Sequence, residues 1–409
     1  MTARPLPETL ERAVIPEPVL DVVASLQEHR HQAFLVGGCV RDMVRGQAPK
    51  DHDVATSATP QQVQRLFKKV IPTGIQHGTV TVISRGVHVE VTTFRVEGAY
   101  VDGRRPEAVE FKLDVREDLS RRDFTINAMA FDPIRRELVD PFGGQQDLEA
   151  RVIRAVGDPV ARFSEDGLRC LRAARFAAVL DFQVEARTLA AVAPCLPVFR
   201  KVAQERVREE LTRLLASEHS DTGLRILAAT GLRAEIVPEL GAPPAPELDR
   251  SPRVLEVRLA ALLHALPLEA AGLVLRRLTY PNKVIDQVAQ LLRHPARLHE
   301  TDEAVRRWAA ALGRELVPNA ISAAEVTSGT PAADLHARVD PVLAANPPLR
   351  ARDLALNGGR IMEVLGVGPS PRVGEATRYL LDRVLARPEL NTAEDLEALL
   401  RDWAKGQRP

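Results

Sequence analysis

The residues best suited to chemistry stand close together between Phe34 and Val54. Phe34-Leu35-Val36 reads as a buried apolar strand, Gly37-Gly38 as a turn, Val40-Arg41-Asp42 as a helix start, and Asp51-His52-Asp53 as the opening of a second strand. Glycines without side chains let backbone N–H groups approach a phosphate, and a helix N-terminus adds partial positive charge beside them. Arg41 can reach the same anion with a charge-assisted fork. Asp51 and Asp53, two apart on a strand, would share one face. Two carboxylates so placed repel unless a cation sits between them, and Mg²⁺ suits carboxylate and phosphate oxygens. Singly, a Gly-Gly turn is structural and an Asp-x-Asp a solvated turn. Together, each tied to a strand, they point to nucleotide chemistry.

Three further places carry charge in a pattern. Glu90 lies within His88-Val89-Glu90-Val91-Thr92. Simple alternation would put it on a wet face, or it is a third carboxylate near Asp51 and Asp53. The run Glu117-Asp118-Leu119-Ser120-Arg121-Arg122-Asp123-Phe124-Thr125-Ile126-Asn127 is too charged for a core segment and too patterned for a linker. Its adjacent arginines suit a triphosphate, and its Asp and Asn suit ribose hydroxyls. Asp166 precedes Arg169 by one helical turn, so a carboxylate and a guanidinium can point the same way. Arg169, Arg172 and Arg175 recur along one face, which either carries paired acids or meets an anion.

These residues need strands and helices to position them. Val19, Leu20, Val22, Val23 and Leu26 mark a helix leading into the first strand. Thr59-Pro60 opens a helix through Lys69. Val80 to Ser84 and Val87 to Thr93 read as a hairpin turning at Arg85-Gly86. Phe94 to Arg116 is a polar loop broken by Gly98, Gly103 and Pro106. From Val160 an apolar stripe of Phe163, Leu168, Leu171, Ala174, Phe176, Ala177 and Leu180 reads as helix, and helices dominate thereafter. The fold class expected is α+β, a mixed-sheet head followed by an all-α remainder.

The motifs carry a family resemblance. Gly37-Gly38-x-x-Arg41-Asp42 with Asp51-x-Asp53, Arg121-Arg122-Asp123-Phe124-Thr125-Ile126-Asn127-Ala128, and Glu165-Asp166-Gly167-Leu168-Arg169 resemble, in order and spacing, the motifs of the class II tRNA nucleotidyltransferase and bacterial poly(A) polymerase family. The resemblance is strongest over residues 30–215. It implies a head of the DNA polymerase β-like superfamily over 1–150, a helical neck that recognises the base over 151–220, and a helical body and tail that bind tRNA over 221–409. It assigns Asp51 and Asp53 to the metal and Gly37, Gly38, Arg41 and Arg122 to the triphosphate. Asp123 and Asn127 help shape the ribose and phosphate site. Asp166 and Arg169 read the base, with Arg172 and Arg175 supporting them. Glu90 would be the third catalytic carboxylate of that fold. Gly167 stands where the family often has proline, which should loosen the turn. Glu205 to Leu211 resembles the family's last helix, its charges bracing the neck. The loop over 96–107 would take part in switching to the final A. Leu262-Leu263-His264-Ala265, within a region of about 255–295, resembles a degenerate His-Asp phosphohydrolase module with Ala265 in the Asp position. In the tail, Arg352, Arg360, Arg372, Arg378 and Arg383 could meet phosphates.

Composition fits this picture. The chain has 409 residues, enough for several domains, and is 45% hydrophobic and 27% charged. Its formal net charge is zero, so any basic surface must be local. Cys39, Cys170 and Cys195 lack metal-site spacing and suit a reduced, cytoplasmic setting. No partner His makes Cys39 a nucleophile. No apolar run approaches membrane-spanning length. The expected activity is template-independent addition of CCA to tRNA 3′ ends from CTP and ATP, with Mg²⁺ and with release of pyrophosphate. A poly(A) polymerase, or an enzyme adding only A or only CC, would carry the same motifs. A catalytically inactive RNA-binding relative is the alternative of another class. No protein partner is implied.

Overall fold

The structure, a computed structural model, describes residues 6–97, 109–111, 114–241 and 247–406. The chain forms two compact units, Met1–Ala242 and Pro243–Pro409. The first begins with α1 (Glu8–Glu11), α2 (Glu17–Glu28), β1 (Ala33–Val36), α3 (Gly38–Val44), β2 (Asp53–Thr56), α4 (Pro60–Leu66) and β3 (Val70–Gly74). It continues through β4 (Thr79–Ser84), β5 (Val87–Thr93), β6 (Arg95–Glu97), β7 (Val109–Phe111), α5 (Val115–Ser120), β8 (Ala130–Asp132) and β9 (Glu137–Val139). Then come α6 (Gly144–Ala150), β10 (Val152–Ile153), α7 (Pro159–Glu165), α8 (Leu168–Leu180), β11 (Gln183–Val184), α9 (Ala186–Ala190), α10 (Val192–Phe199), α11 (Gln204–Leu215), α12 (Ser220–Thr230) and α13 (Leu232–Ile236).

Seven strands form one mixed sheet in the order β3-β4-β5-β2-β1-β8-β9. β2 and β5 run parallel, and the other neighbours are antiparallel. The β4–β5 hairpin turns where expected, at Arg85 (φ 47°) and Gly86 (φ 85°), a twist that matches its strands. α2 buries Val19, Val22, Val23 and Leu26. Val36, Ala55, Phe94, Leu119 and Ala130 meet in a second cluster with Phe34 and Phe142 packed against it. α4 starts in a capping box between Thr59 and Gln62 but ends at Leu66, short of Lys69. The following Val70-Ile71 pairs with β4 as an edge strand, where Pro72 is tolerated. β6 and β7 pair at the base of the segment expected to be a loop. Most of the residues over 96–107 lie outside the described residues.

The stripe from Val160 is two helices, not one. Asp166 caps α7 in an extended conformation, with φ −145° and ψ 104°. Gly167 does not loosen this break. A Cβ there would stand 2.5 Å from the Phe199 nitrogen and 2.6 Å from its Cα. The missing side chain lets the end of α10 press against the turn. α12 packs on α8, so residues 220–241 fold with the first unit.

The second unit is helical in its described residues, with helices at Leu255–Leu263, Leu268–Arg277, Asn282–Arg293, Asp302–Leu312, Val317–Ser328, Ala332–Ala344, Gly358–Leu365, Pro371–Ala386 and Ala393–Gly406. The last three enclose Ile361, Ala376, Leu380, Val384, Leu396 and Leu400. His264 lies at a helix end, its Nδ1 2.8 Å from the Ala261 carbonyl oxygen. In the tail, Arg360 meets Glu397 at 2.6 Å, and Arg372 and Arg383 lie over Trp403 and Tyr379. Among the described residues no helix is long and apolar enough to cross a membrane.

The contact at Gly167 sets a test. Gly167→Ala should lower stability by about 1–3 kcal/mol through overpacking against Phe199, read as a drop in the urea midpoint. An unchanged midpoint would show that α10 yields freely.

Candidate active site

The sheet brings the first group of chemical residues together. The β1–β2 register sets Val36 beside Asp53, so the Gly37 turn leaves the sheet next to that carboxylate. The parallel register of β2 and β5 sets Asp53 beside Glu90. Asp51 lies before β2 and not on it, so the shared face expected from strand alternation does not explain its place. Asp51, Asp53 and Glu90 nevertheless line one cleft of about 1280 Å³. Asp53 opens onto this cleft, yet protein displaces much of the water around it. That desolvation and the charge of Glu90 push its carboxyl up to about 6, with Arg122 opposing and Asp51 adding to the shift. No three His, Cys, Asp or Glu side chains among the described residues already converge as a metal cage. The donor set still fits a hard divalent cation, because these are oxygen ligands short of positive charge.

Gly37 is held at φ 74°, and a Cβ there would stand 2.8 Å from Arg122 Nη1. The backbone conformation favours glycine, while the neighbour a Cβ would meet is the movable tip of an arginine. Arg122 Nη2 donates to Asp118 at 3.2 Å, and its buried Nε has no hydrogen-bond partner. Arg121 donates to the same Asp118 through Nε and Nη2, at 2.9 and 2.8 Å. Burial alone would raise the Asp118 carboxyl, but Arg122 and Arg121 hold it below the usual range. Arg41 also lines the cleft, but its fork is engaged with Asp42, at 2.9 and 3.0 Å, and with Asn127 Oδ1 at 2.9 Å. Cys39 is buried in the first turn of α3, which pushes its thiol up to about 11 and leaves it protonated at neutral pH.

The second group meets at α8. Asp123 accepts from Arg172 Nε at 2.8 Å, from Asn127 Nδ2 at 3.1 Å and from the Phe124 N–H at 2.8 Å. Burial works against its charge, but these partners, Arg172 foremost, hold it down to about 2. Arg172 continues to Glu210 of α11 at 3.3 Å, and Glu210 accepts from Arg175 Nε at 2.7 Å. Arg175 lies over the Phe176 ring at 3.6 Å; burial brings its guanidinium down to about 10, still charged at pH 7. The α8 arginines therefore carry paired acids, as one sequence reading required.

The expected pairing of Asp166 with Arg169 takes another form. Both line the cleft. Arg169 is buried and turned toward the protein, with Nη1 donating to Glu165 at 2.6 Å and to the Arg162 carbonyl at 2.9 Å, and Nη2 to the Arg121 carbonyl at 2.9 Å. Asp166 is instead gripped by Arg206. Asp118, Arg206 and Glu210 were not among the expected site residues. Asp118 had a signal, since it stands three and four positions before Arg121 and Arg122 on one helical turn. Arg206 and Glu210 fall in the helix whose charges were expected to brace the neck, but their partners lie far off in the chain and spacing does not name them.

A mixed sheet that carries carboxylates on neighbouring parallel strands, beside a glycine turn and an arginine-lined helical wall, defines a nucleotidyltransferase of the DNA polymerase β-like kind. Residues 33–154 match the family profile described as the poly A polymerase head domain, and residues 181–242 that described as a probable RNA and SrmB-binding site of polymerase A. The chain is 37% identical over 396 residues to the CCA-adding enzyme of Geobacillus kaustophilus (strain HTA426), spanning 94% of this chain and 96% of that one. It is 36% identical over 398 residues to the CCA-adding enzyme of Lactobacillus helveticus (strain DPC 4571), spanning 94% and 96%. The Bacillus stearothermophilus CCA-adding enzyme, solved in complex with CTP, matches with TM-score 0.81 and 32% identity over 96% of this chain and 99% of that one. The Thermotoga maritima CCA-adding enzyme, solved with tRNA_CCA, shares the fold, with TM-score 0.70 and 20% identity over 98% and 99%. The chain belongs to the CCA-adding enzyme and poly(A) polymerase family of nucleotidyltransferases, a family that implies use of a divalent metal.

The Asp123–Arg172 contact has a pH signature. Asp123 falls from 3.8 to about 2 on folding, so its contribution is fully present above pH 4 and is lost as pH falls toward 2. Asp123→Asn should cost about 2 kcal/mol at pH 7. The gap to the parent in denaturant melts should narrow as pH falls below 4. A gap constant with pH would count against the ion pair.

Proposed function

We propose that this protein completes tRNA 3′ ends with CCA, using CTP and ATP and no nucleic-acid template. One observation carries the reading. In a chain alike to CCA-adding enzymes over 94% of its length, one cleft joins Asp51, Asp53 and Glu90 to Gly37 and Arg122, and to the wall of Asp166, Arg169, Arg172 and Arg175. The tRNA 3′ hydroxyl oxygen attacks the α-phosphorus of the nucleotide. A new P–O bond forms, the bond to the β-phosphate oxygen breaks, and pyrophosphate leaves.

Asp51 and Asp53 would hold the divalent cation, for which we assign Mg²⁺, with Glu90 as the neighbouring third carboxylate. When bound, that cation supplies Lewis-acid stabilisation and eases loss of the hydroxyl proton. Arg122, aimed by Asp118 and packed against Gly37, would bind triphosphate. Gly38 and Arg41 lie beside it, Arg41 through the N–H groups that Asp42 and Asn127 do not use. Asp123 and Asn127 shape the ribose and phosphate end. Asp166 would accept from the exocyclic amine that cytosine and adenine share, and Arg169, here turned to Glu165 and two backbone carbonyls, would have to shift toward the cleft to donate to their ring acceptor. A base with the opposite pattern would leave the wall's polar groups unpaired, a cost that rejects it strongly. The helices of the second unit would bind the tRNA acceptor arm by shape and backbone. Three free buried thiols and a tRNA substrate suit work in the cytoplasm.

Extension of a tRNA transcript ending at the discriminator base tests this reading. With Mg²⁺, CTP alone should add two C residues, and CTP with ATP should stop at CCA. A long ladder from ATP alone would make the protein a poly(A) polymerase, and a single A added only to a CC end would make it an A-adding specialist. Asp53→Ala should abolish incorporation while leaving the fold intact by circular dichroism; retained activity would sink the metal assignment.

A further inference from the structure

We infer that the α3–β2 connection is a guide for the RNA strand, with Arg45 and Lys50 holding phosphodiesters of the unpaired 3′ end that is extended. The inference rests on the RNA-extending activity proposed above. The cleft of about 1280 Å³ is larger than a single small ligand fills. The reaction needs a second occupant, because the 3′ hydroxyl oxygen must reach the nucleotide beside Asp51 and Asp53. From Arg45 to Lys50, every residue but Gly46 lines this cleft. Arg45 follows the last residue of α3 and stands about 10 Å along the helix axis from Gly38. That is beyond the turn assigned to the triphosphate. The connection then returns to Asp51. A strand laid along it would bring its 3′ end to the carboxylates.

The two cations on this connection are less committed than their neighbours. Arg45 Nη1 donates to Gln47 Oε1 at 3.0 Å and lies 3.9 Å from Asp42 Oδ1. Its Nε and Nη2 donate to no group among the described residues. The guanidinium lies over the Phe182 ring at 5.6 Å, and that of Arg151 over the same ring at 5.8 Å. The ring backs the plane of the fork while 23% of the Arg45 side chain stays open. Burial pulls the Arg45 guanidinium below its usual value. Asp42 opposes this, and the charges of Arg41 and Arg151 add to it, the direction expected of a cation short of negative charge. Lys50 is exposed, and its ammonium has no ion pair among the described residues. The acids at this end, Asp42 and Asp181, are already held by Arg41 and Arg151. A ring-backed guanidinium and a flexible ammonium can hold a phosphate chain without reading its bases.

The experiment is equilibrium binding of the full-length protein to a fluorescently labelled tRNA transcript ending in CC, without nucleotide. Arg45→Ala and Lys50→Gln should each weaken binding about tenfold at low salt, the scale of one charge-assisted hydrogen bond. Each should lower the slope of log affinity against log salt by about 0.7, the share of one single-strand phosphate. Arg45→Lys should recover part of the affinity, since lysine returns the charge without the fork. On a transcript trimmed to its last base pair, the variants should bind as the parent does. KM for CTP at saturating RNA should stay within about threefold of the parent. Lys50 is exposed, so K50Q carries the test if R45A does not fold. Parent-like affinity in both variants would overturn the inference. So would an equal loss on the trimmed transcript, or a KM for CTP that rises while RNA affinity holds. Extension by the parent protein is scored separately. Its absence would overturn the reading above, while the binding ratios still decide the guide.

Discussion

The first unit depends on one buried chain of charge, Asp123–Arg172–Glu210–Arg175. It ties the segment that follows α5 to α8, and α8 to α11. Glu210 is 4% exposed and Asp123 8%, so neither can rely on water. Breaking one partner of such a pair is costly, because the other charge is left stranded. Alternating signs let each inner ion, Arg172 and Glu210, serve two neighbours. The Asp123 carboxylate stays ionised although burial opposes it, which shows that the arginine side prevails. The chain therefore fixes where the arginine-lined wall of the cleft stands relative to the sheet that carries Asp53.

The same logic separates two kinds of arginine in the cleft. Arg169, Arg172 and Arg175 donate to protein acceptors and form a rigid wall. Among the described residues, Arg122 is held at one end by Asp118 and its buried Nε finds no hydrogen-bond partner. A wall that selects a base must be pre-organised, because selectivity comes from groups that cannot relax around the wrong partner. A group that meets a triphosphate can afford open donors, because the anion brings its own acceptors. At the carboxylate end the balance is reversed. Asp53 is pushed up by burial and by Glu90, the direction expected of a carboxylate short of positive charge.

Some of this was legible in the sequence. The β4–β5 hairpin followed from alternation around Arg85-Gly86, and the strand–glycine–helix unit from the apolar run ending at Val36. Asp-x-Asp and the arginine spacing drew attention to residues that line one cleft. β3 was not legible, because Val70-Ile71 directly follows a helical pattern and only pairing with β4 makes it a strand. The α7–α8 break was hidden because the apolar stripe runs through it in phase. Nothing near Gly167 in the sequence showed that the Phe199 backbone presses against it.

What the sequence by itself determined is the set of chemical groups and their local frames: the carboxylates, the glycine turn, the arginine face, and Asp118 one turn from Arg121 and Arg122. These follow from short-range geometry, in which neighbours along the chain meet on a strand or a helical turn. Only the tertiary structure decided who pairs with whom. Asp53 meets Glu90 because β2 and β5 lie parallel, and Asp166 meets Arg206 instead of Arg169 because α11 crosses the α7–α8 break. The physical reason is desolvation. A buried charge takes whichever opposite charge packing brings to it, and packing is settled by the apolar faces of distant elements, not by spacing along the chain.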